Sequence, residues 1–201
     1  MIPAAMDQSR NIRGGVSRRV LLQGAGAAVG AAAAASIAAC GEDGQATTQS
    51  GGIEGTASDV GTLRGALAIE LTAVTAYERG SPLLSGRRRR ACELFLAQEQ
   101  EHADTLTKAI TQLGGAASVE PIPLDYSQLS GSTFLPLAKN VADAAIAAYI
   151  AAIPRLSSGD LRATIATILA DEAEHLSVLL GFQGRPQAPD ALVSGDPDAL
   201  R

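Results

Sequence analysis

The chain contains two histidines, and both close the same tetrapeptide pattern: Glu99-Gln100-Glu101-His102 and Glu172-Ala173-Glu174-His175. On a helix that turns roughly 100° per residue, a glutamate and a histidine three positions apart lie one above the other on one face. A carboxylate oxygen and an imidazole nitrogen placed this way can reach one cation. The donor set suits Fe or Mn, and also Zn. The middle acids, Glu101 and Glu174, face away from these stripes and read as solvated charges.

Each pair is set among apolar residues at helical spacing. In 161–180, Leu161, Ile165, Ile168, Leu169, Leu176 and Leu179 fall within about 50° of Glu172, with His175 about 60° to one side. In 91–113, Cys92, Phe95, Leu96, Ala103, Leu106, Ile110 and Leu113 surround Glu99 in the same way. Glu70 sits among Leu63, Leu67, Leu71, Val74 and Tyr77. A buried carboxylate is very costly without a proton, a counter-charge or a metal. Glutamates at the centres of three apolar faces, two of them with an imidazole, therefore predict a metal centre inside a helical core.

The elements that must position these groups follow from periodicity and turn chemistry. A first helix is expected over about 62–78, capped by Ser58, Asp59 or Thr62. The short turn 80–86 makes the next helix its antiparallel neighbour; Arg87 to Arg90 open that helix and Gly114-Gly115 end it. The Arg run reads either as a contact to anionic lipid head groups or as a solvated helix end, and the second is favoured. A Pro/Ser-rich connection, 116–133, is long enough to cross from one bundle end to the other. A third helix spans about 135–156, with Pro154 near its end, and Asp160 is the expected cap of the fourth. Residues 182–201 read as a tail packing over one bundle end. With 46% hydrophobic residues, 3% aromatics, no Trp and no hairpin signal, the expected fold is all-α: a four-helix bundle over 61–181 with a long crossover.

The first residues belong to a different class of segment. Arg10, Arg13, Arg18 and Arg19 precede an Ala/Gly-rich apolar run over 20–39, the layout of an export signal. Arg18 and Arg19 resemble a twin-arginine signal, and Ile37-Ala38-Ala39-Cys40 resembles a lipoprotein cleavage box with Cys40 as the lipidated residue. The alternative is an uncleaved transmembrane anchor. Residues 40–60, rich in Gly, Ser, Thr and Gln, read as a flexible tether. Loss of 1–39 removes four arginines and one aspartate and leaves a net charge near −8, which disfavours nucleic acid as a partner. Cys92 is then a lone, small core residue, and no intrachain disulfide is expected.

Taken together, the stretches ALAIELTAVTAYERG, FLAQEQEHADTL, AAIAAYIAAIPRL and LRATIATILADEAEHLSVLLG resemble bacterial ferritin-like domain proteins exported with a twin-arginine signal. The resemblance covers about 63–195. It implies a dinuclear carboxylate bundle, in which two helices each give one Glu and two give Glu-x-x-His. Carried over, Glu70 matches the first lone Glu, and Glu99, His102, Glu172 and His175 match the paired motifs. The fourth carboxylate departs from the pattern. Matching Ala73–Tyr77 to Ala145–Tyr149 places Ala142 opposite Glu70, whereas the spacing of the paired motifs places Asp143 there, about 100° round the helix. Three carboxylates leave a surplus positive charge against two divalent cations, so the second of two Fe or Mn ions is the doubtful one. Tyr77 and Tyr149 are either hydrogen-bond donors to the ligands or core residues.

Two functions fit this reading. One is an extracytoplasmic, membrane-anchored protein that binds Fe or Mn and reacts with oxygen or peroxide, or holds the metal. The other is a non-catalytic envelope lipoprotein with a degenerate site, serving as a scaffold or partner-binding module. Expected partners are the membrane, through the N-terminal lipid, and the export machinery; a second copy of the chain, as a homo-oligomer, is a further candidate.

Overall fold

The computed structural model describes residues 50–201. Arg18, Arg19 and Cys40, and with them the export signal and lipidation motif, lie outside the described residues. Among those described, the fold is all-helical: α1 (Ser50–Gly80), α2 (Gly86–Gln112), α3 (Gly131–Ala152) and α4 (Gly159–Phe182), with 3-10 turns at Ser81–Leu83 and Ile153–Arg155. α1 packs on α2 and on α3, α3 packs on α4, and of these neighbouring pairs α2 and α4 pack most loosely.

The helix ends follow local chemistry. Gly114 takes φ +76° after α2, and the N–H groups of Gly114 and Gly115 return to the carbonyls of Thr111 and Ile110, closing the helix with a residue that carries no Cβ penalty. At α3, Ser130 and Thr133 satisfy each other's backbone N–H in a reciprocal cap. At α4 the cap is Ser158, whose Oγ accepts from Leu161 N–H at 3.0 Å. Asp160, the expected cap, instead lies in the first turn, where its charge faces the positive end of the helix dipole.

α1 begins at Ser50, so its first turns lie in the stretch read from sequence as a tether. Asp59, expected as a cap, is inside the helix and buried. It accepts the Ser157 N–H at 2.9 Å and the Ser157 hydroxyl, while Val60 packs on the core. These contacts to the α3–α4 turn hold residues whose composition shows no apolar periodicity.

The same kinds of contact fix the topology. Arg88 donates to the Phe182 carbonyl at 3.0 Å, and Gln183 donates to the Leu135 carbonyl at 3.1 Å. The starts of α2 and α3 therefore share the end where α4 finishes, and residues 113–130 must run the length of the bundle. They do so along α1. Arg64 holds the carbonyls of Ala116 and Ser118, Thr72 Oγ1 accepts from Ile122 N–H at 2.7 Å, and the Arg79 guanidinium lies 4.7 Å over the Tyr126 ring. At the shared end the Arg run is occupied by protein contacts and solvent: Arg89 pairs with Glu93 at 2.8 Å and Arg87 lies over the Phe182 ring.

The core is two apolar clusters. Leu63, Leu67, Leu106, Ile110, Tyr149 and Ile165 belong to one, and Tyr77, Cys92, Phe95, Phe134, Ala138 and Leu179 to the other. Positions 70, 99 and 172 fall between them on their helices, so the glutamates form a polar layer inside an apolar column. Gly131–Arg155 is long and apolar enough to cross a membrane, and its Phe134, Val141, Ile146 and Tyr149 supply buried core here. The tail packs on α3 rather than over a bundle end: Asp196 N–H donates to the Asp143 carbonyl. Gly195 (φ +66°) approaches so closely that a Cβ would lie 2.4 Å from that oxygen.

Candidate metal centre

Three helices deliver the site. Glu70 comes from α1, Glu99 and His102 from α2, and Glu172 and His175 from α4. One ligand atom from each of Glu70, Glu99, His102 and Glu172 lies within 4.8 Å of the others. His102 Nδ1 is 3.4 Å from Glu70 Oε2, 3.6 Å from Glu99 Oε2 and 3.6 Å from Glu172 Oε1. His175 flanks this group, its Nδ1 3.2 Å from Glu99 Oε1 and 3.8 Å from Glu172 Oε2. Glu99 and Glu172 thus point inward, toward each other and toward both imidazoles.

The geometry adds two residues that sequence reasoning missed. Asp171 Oδ2 lies 3.2 Å from His102 Nε2 and 3.4 Å from His175 Nε2, and Gln98 Oε1 lies 3.1 Å from His175 Nε2. Each stands immediately before the glutamate of its own motif and reaches the histidine of the other helix. With His175 Nε2 bonded to Gln98 and His102 Nε2 beside the Asp171 carboxylate, the Nδ1 atoms are left for the centre. Only the Asp171–His175 contact, an i, i+4 pair, was legible from spacing; the contacts to the opposite helix carry no such signal.

The electrostatics are set by burial and by the mutual charges of the acids and imidazoles. Burial would raise the Glu99 carboxyl, but His102 and His175 overcome it and hold it at about 2. Burial, and then the charge of Glu99, pushes Glu172 up to about 7. Glu70 is raised well above the usual carboxylate range, mainly by burial. Burial opposes charge on the His102 ring, yet Glu172, Glu70 and Glu99 outweigh it and push the imidazolium up to about 12; His175 is raised against burial by Glu99 first. Even so, both Glu70 oxygens, Glu99 Oε2, Glu172 Oε1 and the Nδ1 atoms of both histidines are buried without a hydrogen-bond partner. Orphaned polar atoms converging from three helices are costly. A divalent cation bound among Glu70, Glu99, His102 and Glu172 would take one ligand atom from each, and the imidazole and carboxylate donors fit Fe, Mn or Zn.

Two other expectations resolve differently. Asp143 does not join the cluster: its Oδ2 lies 2.5 Å from Lys139 Nζ, one turn back on the rim of α3, where the lysine neutralises it. Ala142 is buried in the apolar core, so α3 contributes no carboxylate. The hydroxyls of Tyr77 and Tyr149 are buried and have no hydrogen-bond partner; both rings serve as core, Tyr77 packing edge-on against Phe95 and Phe134. Burial, and then the charges of Glu99 and Glu172, raises the Tyr77 phenol well above its ordinary value.

A helical bundle with a buried carboxylate and histidine cluster fed by three of its helices is the architecture of the ferritin-like class. The ferritin-like domain family matches residues 58–185, and the chain belongs to it. No curated protein matches the sequence. Among solved structures, the fold is similar to that of a ferritin-like, diiron-carboxylate protein from Bacillus anthracis (TM-score 0.57, 23% identity, covering 64% of this chain and 96% of that one). It is also similar to a conserved hypothetical protein from Mycobacterium tuberculosis (TM-score 0.60, 18% identity, 69% and 99% covered) and to Desulfovibrio desulfuricans bacterioferritin, which has a diiron site (TM-score 0.61, 17% identity, 72% and 97% covered).

Proposed function

We propose that the protein is an extracytoplasmic metalloprotein, anchored to the membrane through Cys40 after twin-arginine export, that binds Fe or Mn between α1, α2 and α4. The observation that carries the reading is the set of buried, unpartnered oxygens and Nδ1 atoms converging from three helices. Glu70, Glu99 and Glu172 supply charge, and His102 and His175 supply nitrogen. Asp171 and Gln98 hold the imidazole tautomers. Bound Fe or Mn would supply one-electron chemistry with oxygen or peroxide. Three inward carboxylates fully neutralise one divalent ion but not two. The centre holds one ion tightly, and a second only when hydroxide or another small anion makes up the charge. Asp171, behind both rings, offsets part of the charge missing at Ala142.

The test is metal analysis of protein folded in cells and purified without added metal. About one equivalent of Fe or Mn is expected; less than about a tenth of an equivalent counts against the reading. Anchoring is tested by lipid labelling of wild type and Cys40→Ala, with label expected only in the former.

A second reading rests on α3. Ala142 in the core and Asp143 held by Lys139 are the features of a bundle that has lost dinuclear chemistry and serves as an envelope scaffold. Under that reading, wild type binds metal weakly and turns over no peroxide.

A further inference from the structure

A cleft of about 490 Å³ opens between α2 and α4, the most loosely packed of the neighbouring helix pairs. Its floor is His102 and Asp171, and Glu101 and Glu174 line its mouth together with threonines. No lysine or arginine lines it. Glu101 and Glu174 are the middle acids of the two Glu-x-Glu-His motifs, which the helical wheel assigns to solvent and the metal centre does not use.

Three features make this cleft the approach to the buried cluster. The side chains of His102 and Asp171 retain 13% and 25% exposure, whereas those of Glu70, Glu99, Glu172 and His175 retain 1–2%, so the cluster meets solvent on this side. Directly behind His102 lie carboxylate oxygens of Glu99 and Glu172, and behind them His175 Nδ1, all buried and unpartnered. The lip carries carboxylates and hydroxyls, which are groups that attract a hydrated divalent cation and repel anions.

We propose that the α2–α4 cleft is the port through which divalent cations reach the centre, with Glu101 and Glu174 as its charged lip. The inference rests on the metal-centre reading above. Neither lip residue binds the ion in its final position, so the two carboxylates act on the rate of arrival, through a local field that concentrates cations, and leave the filled site unchanged. A field of this kind is screened by salt.

The experiment uses the full-length chain stripped of metal by a chelator and mixed with Co²⁺, whose visible bands report binding in a stopped-flow instrument. At low ionic strength, Glu101→Gln/Glu174→Gln is expected to load on the order of tenfold more slowly than wild type. The gap should close at about 0.5 M salt, with the final Co²⁺ content equal. Glu101→Lys/Glu174→Lys should load more slowly still, and neutralising two acids remote from the cleft, Glu78→Gln/Glu120→Gln, should leave the rate near wild type. Equal rates for wild type and the lip variants, or slowing that is independent of salt, overturn the port while leaving the metal centre standing. Wild-type protein that takes up no Co²⁺ at all overturns the metal-centre reading, and the port with it.

Discussion

The Oδ2 atom of Asp171, on α4, stands 3.2 Å from Nε2 of His102, on α2. The contact joins two helices that otherwise touch little, and it sets a carboxylate beside the nitrogen of His102 opposite the one that faces Glu70, Glu99 and Glu172. Gln98 does the reverse from α2, reaching His175. The two motifs are cross-braced, each helix orienting the imidazole of the other.

Asp171→Asn keeps the shape of the side chain and removes its charge. Metal affinity should fall about 10- to 100-fold, the range for groups that orient a ligating histidine, with helicity unchanged. Competition against a chromogenic chelator measures this, and an affinity within twofold of wild type would show that the contact does not position the ring.

Metal binding should release protons. Near pH 7 and without metal, the cluster retains protons: Glu172 is raised to about 7, Glu70 lies above its normal range and the His102 imidazolium is raised to about 12. A cation must displace them. Apparent affinity should therefore rise as pH increases through about 7 and fall as it decreases. Calorimetry in buffers of different ionisation enthalpy reads the proton count directly, and a count of zero at pH 7 contradicts the arrangement.

Ala142→Glu places a fourth carboxylate on the inward face of α3. If the missing charge limits occupancy, bound metal should rise from about one toward two equivalents. In metal-free protein the same change buries another acid and should lower the melting temperature. An unchanged metal content, with the fold intact, would favour the scaffold reading.

Asp59→Ala removes the acceptor for the Ser157 N–H and hydroxyl, and Ser157, which is exposed, can turn to water instead. A loss of about 1 kcal/mol is expected, read by denaturant unfolding, together with faster amide exchange in the first turns of α1. Protection that does not change would mean that α1 holds its start without this contact.

Cys92 is fully buried, and burial, with a smaller contribution from Glu93, pushes its thiol up to about 12. The thiolate is the reactive form, so iodoacetamide at pH 8 should leave Cys92 unmodified in folded protein and label it readily in denaturant, as peptide mapping would show. Labelling at similar rates in both states would place the residue at the surface.

Much of the fold was legible because its determinants are local. Gly114-Gly115 ends α2, the 80–86 turn pairs α1 with α2, and the length of the crossover between α2 and α3 forces it along the bundle. The inward set of Glu70, Glu99, His102, Glu172 and His175 follows from a glutamate at the middle of an apolar stripe. The diversion of Asp143 was half legible, since Lys139 lies one turn away on the same rim. The start of α1 was not: Asp59 lies inside the helix and meets Ser157, 98 residues later, and no periodicity in 50–60 announces that contact.

The sequence alone determined which residues face inward, because the angle between positions on one helix is set by backbone geometry whatever surrounds it. Only the tertiary structure decided which helices face one another. That choice made Asp171 and Gln98 partners of the opposite imidazole, left the α2–α4 seam open and gave Glu101 and Glu174 a place beside the centre. Contacts between helices depend on how whole faces pack, and that is encoded in no single stretch of chain.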